Sequence, residues 1–117
     1  MTRIDAVRLI VDRFPILKER VDQPEDIFES AYVTYGMLAT EILENTDNGV
    51  LFNNVAAFVD ELANSGDDLL EELLVIDVLE GIAQDPDLSI RLSDKVGLKA
   101  AAFLKSVERE YYGRTWR

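Results

Sequence analysis

The chain has 117 residues, 23 acidic and 12 basic side chains, a net charge of −11, and neither cysteine nor histidine. This length suits one domain that encloses a core without a metal or disulfide staple. The composition excludes disulfides, thiolate or imidazole chemistry and sulfur ligands.

No apolar run approaches a membrane span, and Met1 to Asp5 lacks the basic-then-apolar order of an export signal. A cytoplasmic location is the expectation. The charge is unevenly spread. No Lys or Arg lies between Arg20 and Arg91, and residues 21–90 hold 17 acids. The first 20 residues carry five basic against three acidic side chains, and residues 91–117 carry seven against three. An acidic middle disfavours nucleic acid and anionic membrane as partners and steers a basic protein inward. Acidic surfaces also serve plain solubility.

Thr2 can cap a first helix with the apolar stripe Ile4, Val7, Ile10, Val11 and Phe14, and Pro15 breaks it. Ile16, Leu17 and Val21 extend it as a short helical piece. The basic residues at this end, Arg3, Arg8, Arg13, Lys18 and Arg20, form no single stripe interleaved with aromatics, so nucleic-acid binding is not indicated. Asp22-Gln23-Pro24 is punctuation. From Pro24-Glu25-Asp26 the spacing predicts one helix carrying Ile27, Phe28, Ala31, Tyr32, Tyr35, Leu38, Ala39, Ile42 and Leu43, up to the turn residues Asn45 to Gly49.

A helix over Asn48 to Asn64 groups Leu51, Val55, Phe58, Val59 and Leu62, and Ser65-Gly66 ends it. The short link predicts antiparallel packing on the next helix, with Phe52 and Phe58 supplying much of the contact. That next helix, Asp67 to Pro86, contains the longest strongly apolar run and should organise the core. At 3.6 residues per turn, Leu74, Val75, Val78, Leu79, Ile82 and Ala83 share one face with Ile76 at its edge. Asp77, Glu80 and Gln84 fall opposite, interrupted by Leu73. Asp77 stands alone as a charge among Val75, Ile76, Val78 and Leu79, either facing water beside Glu80 or serving as a partly buried or interface acid.

After Asp85-Pro86, a short helix over Leu88 to Leu92 cannot place Leu88, Ile90 and Leu92 on one face. A last helix runs from Leu98 to Tyr111 or Tyr112 before Gly113. Residues 113–117 are expected to form a mobile tail in which Trp116 is either loose or a plug against the body. Sustained period-two alternation is missing. The fold expected is a single all-α domain, a compact bundle or solenoid-like array of five to six helices.

Paired carboxylates at helical spacing, Glu25 with Glu29, Glu41 with Glu44 and Asp77 with Glu80, are the only groups that suggest chemistry. They lack the imidazoles of a bridged metal site, and Asp47-Asn48-Gly49 is followed by Val50, Leu51 and Phe52 where a calcium loop needs oxygen ligands. Phosphate-binding glycine loops are absent, and no serine has a histidine to activate it. The residues therefore indicate no catalytic set, no metal and no cofactor.

The stretch Leu73-Leu74-Val75-Ile76-Asp77-Val78-Leu79-Glu80, followed by Asp85, Pro86 and Leu88 and by a final helix ending Phe103-Leu104-Lys105-Ser106-Val107-Glu108, resembles a family of small, acidic, uncharacterised helical bacterial proteins. Its members look like immunity proteins encoded near polymorphic toxins. The likeness covers the second half of the chain and implies an all-helical fold with a protective binding role. On this reading a non-enzymatic protein occludes a basic toxin surface through Asp60, Glu61, Asp77 and Glu80. The alternative is a structural or housekeeping protein that forms a homodimer through Tyr32, Tyr35, Tyr111, Tyr112 and Trp116.

Overall fold

In a computed structural model that describes residues 1–19 and 30–116, backbone hydrogen bonds close within helices throughout, and no strand occurs among those residues. The helices are α1 (Arg3–Arg13), α2 (Ile16–Glu19), α3 (Ala31–Glu44), α4 (Gly49–Ala63), α5 (residues 68–83), α6 (Pro86–Lys95) and α7 (Leu98–Tyr112). Their starts follow from local chemistry. The first backbone N–H groups of a helix have no partner inside it, so a side-chain oxygen just ahead of the first turn fixes the boundary. Thr2, Ser30, Asn48, Asp67 and Asp85 each accept such an N–H, from Asp5, Val33, Leu51, Leu70 and Leu88. Pro86 occupies the first turn of α6, where its missing N–H costs nothing. Gly113 ends α7 at φ 73°, a left-handed conformation that glycine adopts without a Cβ clash, and its N–H bonds the Arg109 carbonyl.

Ser30 corrects one expected helix. Its backbone is extended, φ −140° and ψ 104°, so no single helix runs from Pro24 through Ala31. The expected start at Pro24, the Glu25–Glu29 pair, and Val21, Ile27 and Phe28 lie outside the described residues. In α1 the core face is Ala6, Val7, Ile10 and Val11, and Ile4 is exposed.

Helix α5 runs through the middle of the bundle. It packs most extensively on α3, then on α7, and only lightly on α4. The sequence-adjacent helix is therefore not its main neighbour. Phe58 turns instead toward α1 and α3, with its ring centroid 5.5 Å from Phe14 and 6.1 Å from Tyr35. The α3–α5 approach is set by Gly81, where a Cβ would stand 2.6 Å from the Ala39 Cβ. Only glycine lets the two backbones come this close. The radius of gyration, 13.4 Å, matches the value of about 13 Å expected for one compact domain of this length.

The interior of α5 is not α-helical. Residues Leu74–Leu79 form a π-turn, closed by the Glu80 N–H donating to the Val75 carbonyl five residues back. The cause is visible in the buried pairs. Leu73 with Leu74, Val78 with Leu79, and Ile82 with Ala83 are each at most 1% exposed, so the core-facing pairs step by five residues and then by four. Five residues on an α-helix advance about 140° beyond a full turn, which would carry Val78 and Leu79 away from the core. A wider turn absorbs the extra residue and keeps every pair facing inward. The face read at 3.6 residues per turn holds for Leu74, Val78, Leu79, Ile82 and Ala83 and is corrected at its margins: Leu73, expected on the opposite side, is wholly buried, Val75 is half-buried, and the edge residue Ile76 is 43% exposed.

Candidate functional site

The residue inserted by the wide turn must go somewhere, and it goes to the outer side of α5. There Ile76, Asp77, Glu80, Gly81 and Gln84 form the floor of a cleft of about 460 Å³, and Tyr111 and Tyr112 of α7 form its wall. Among the described residues no lysine or arginine lines it.

Asp77 is half-buried, and its Oδ2 atom is closed off from solvent with no hydrogen-bond partner. Loss of hydration disfavours its charged form most, and the Glu80 and Glu72 carboxylates add repulsion, pushing its pKa up to about 6. The same field reaches the flanking tyrosines. Glu80 raises the Tyr111 pKa, chiefly through its charge. On the other flank the Tyr32 hydroxyl donates to Glu72 Oε2 at 2.8 Å, and this hydrogen bond is the main reason that the Tyr32 pKa is raised. Helix α5 thus presents Glu72, Asp77 and Glu80 between tyrosines from α3 and α7.

The tyrosine wall is braced from behind. The Trp116 ring lies 4.9 Å from that of Tyr112, and its indole N–H donates to the Ala83 carbonyl at 2.8 Å. The Trp116 backbone N–H donates to Glu108 Oε1 at 3.3 Å. Glu108 is buried, and its Oε2 accepts the Ser89 hydroxyl at 2.5 Å. Of the two arrangements open for Trp116, the plug against the body is the one present.

Asp77, Glu80, Tyr111 and Tyr112 therefore come together, with Tyr32 at the edge and Trp116 behind. Asp60 and Glu61 do not join them. The Asp60 carboxylate accepts the Gly97 N–H at 2.9 Å, ahead of α7, and Glu61 pairs with Arg13 at 2.9 Å. Tyr35 is 0% exposed, and its hydroxyl donates to the Ala6 carbonyl at 2.7 Å, which places it in the core and away from any outer contact surface. Burial drives its pKa well above that of an ordinary phenol. Sequence reading did not connect Glu72 with Asp77; Glu72 lies outside the cleft lining, accepts the Tyr32 hydroxyl on the other flank, and acts on Asp77 through its charge.

Comparison with protein families, curated proteins and solved structures finds no match. The site's own chemistry is what speaks. Among the described residues no group of three or more acids is arranged to hold a metal ion. The cleft combines desolvated negative charge, aromatic faces and the exposed apolar Ile76. Those properties suit capture of an organic cation carried on another molecule.

Proposed function

We propose that this chain is a non-enzymatic, cytoplasmic binding protein that covers a basic surface of a partner protein, in the manner of an immunity protein occluding a toxin domain. One observation carries the reading: Asp77 sits half-buried between Glu72 and Glu80 in the chain, with no cation beside it among the described residues. A free protein is destabilised by such a charge, and a basic partner relieves it. The absence of any Lys or Arg between Arg20 and Arg91 extends the same polarity along the chain. The resemblance of the second half to small immunity-like proteins supports the protective role.

Self-association through the tyrosines is less well supported. A two-fold dimer on this face would set carboxylates against carboxylates, Tyr35 is in the core, and Trp116 is engaged within its own chain. Sedimentation over a concentration range tests the alternative, and a strict monomer removes it.

The decisive experiment is affinity capture from an extract of the native cell, followed by association kinetics with the captured protein at several salt concentrations. The reading expects a basic protein whose association slows as salt rises. Double reversal, Asp77→Lys with Glu80→Lys, should weaken capture about ten- to a hundredfold, as loss of a close charge pair at an interface does. Association indifferent to both salt and charge reversal would overturn the proposal.

A further inference from the structure

We propose that the cleft between α5 and α7 is a receptor for a single arginine side chain of the partner, with Asp77 and Glu80 taking the guanidinium and Tyr111 and Tyr112 lying along it. This rests on the reading of the chain as a binder of basic proteins and specifies what that binder recognises. The argument starts from the space. The cleft of about 460 Å³ is bounded by an acidic floor and an aromatic wall, and Ile76 supplies an apolar lip that is 43% exposed. Acid, aromatic ring and apolar carbon are the surfaces that a planar guanidinium on a three-carbon stem can use at once.

Charge decides the sign of the ligand. Asp77 and Glu80 line the cleft, the charge of Glu72 adds to theirs at Asp77, and among the described residues no cation lines the cleft. Asp77 is the focus, because its side chain is half-buried and its enclosed Oδ2 has already lost its hydration, which leaves the carboxylate's charge to be met from the cleft. A partner cation therefore gains charge attraction there, while the carboxylate's desolvation was incurred when the chain folded.

Geometry decides between arginine and lysine. An ammonium is compact and strongly hydrated, so contact with the tyrosine rings and the half-buried Asp77 strips water that it holds tightly. A guanidinium is less hydrated, donates in a fork that fits a carboxylate, and stacks on tyrosine faces. The wall is also held ready. Tyr112 is backed by Trp116, itself fixed by the Ala83 carbonyl and by Glu108, so the ring loses little freedom when a ligand arrives.

The test is a nuclear magnetic resonance titration of the full chain with N-acetyl-arginine amide, N-acetyl-lysine amide and the uncharged N-acetyl-citrulline amide at constant ionic strength. Saturable shifts should appear at residues 76–84 and at Tyr111 and Tyr112, roughly fivefold or more tighter for the arginine compound than for the lysine compound, and should be absent for citrulline. Asp77→Asn and, separately, the milder Glu80→Gln should each bring arginine down toward lysine. Equal binding of arginine and lysine, shifts spread evenly over other acidic positions, or unchanged affinity in both variants would overturn the proposal. A lysine-only peptide that binds α5 in a salt-dependent way while arginine shows no preference would leave the acidic docking face standing and remove the guanidinium receptor. Failure of the peptide and of the arginine compound alike would remove both.

Discussion

Two acidic regions follow each other in the chain, and the fold treats them in opposite ways. The first runs from Asp60 to Glu71, where the basic ends of the chain fold back onto the acids. Glu61 meets Arg13, Asp67 meets the amino terminus at 2.9 Å, Glu71 meets Lys99 at 3.6 Å, and Asp60 takes the Gly97 N–H. The second runs from Glu72 to Glu80. Its carboxylates find tyrosines, each other, and no cation among the described residues. The contrast separates acids paired with cations or a backbone N–H from acids that meet no cation among the described residues. Net charge alone makes no such distinction.

Substitutions can break or sharpen this contrast. The largest effect on folding should come from Gly81→Ala, because the new methyl meets the Ala39 Cβ at 2.6 Å and the α3–α5 contact must open. A loss of about 1–3 kcal/mol in denaturant unfolding is expected from overpacking of this kind. If stability is unchanged, the close approach is not what seats the π-turn helix.

Asp60→Ala should cost about 1 kcal/mol by removing the acceptor for the Gly97 N–H ahead of α7, and it should leave partner capture close to unchanged. Asp77→Asn should move stability the other way. The folded pKa of Asp77 is raised from 3.8 to about 6, so its protonated form favours folding at low pH, and that contribution is lost as pH rises through this window. At neutral pH the substitution should therefore raise stability by about 1 kcal/mol, after allowing for partial exposure, and flatten the pH dependence between 3.8 and about 6. A fall in neutral-pH stability for Asp77→Asn would place Asp77 with the structural acids.

The smallest effect on stability should come from deleting Ile76. The deletion returns the step between Leu74 and Leu79 from five residues to four, so the helix can close as α with its core pairs in place. Unfolding free energy should change by no more than about 1 kcal/mol. The Asp77 pKa, followed by carboxyl carbon shifts, should fall toward its ordinary value as the residue leaves its half-buried seat. Collapse of the core on deletion would show that the π-turn does more than accommodate spacing.

Much of the fold could be read directly from residues. Thr2, Asn48, Asp67, Asp85 and Gly113 mark helix ends because each acts on backbone groups within a few positions of itself. Asp77 stood out as a lone charge in an apolar run, and the structure returns it as the least satisfied acid of the site. The π-turn was legible only in part: the spacing of the leucine, valine and isoleucine pairs contains the extra residue, but reading it at 3.6 residues per turn sent Leu73 to the wrong side. Tyr32 and Tyr35 show the limit of pattern. They lie three residues apart on α3, yet one hydroxyl reaches Glu72 at the surface and the other reaches Ala6 in the core.

By itself the sequence determined a helical fold, many of the places where its helices start and stop, though neither the start of α3 after Ser30 nor the full length of α6, and an acidic middle between basic ends. These are short-range matters of caps, periodicity and composition. Only the tertiary structure decided which acids are neutralised, because Arg13 and Glu61 are 48 positions apart and Lys99 and Glu71 belong to different helices. Which helix packs on α5 was likewise set by the fit of Gly81 against Ala39 rather than by chain order. Asp77 draws on both levels: its place in the chain made it conspicuous, and the desolvation and repulsion that raise its pKa arise only when α5 is wound around a turn one residue too wide.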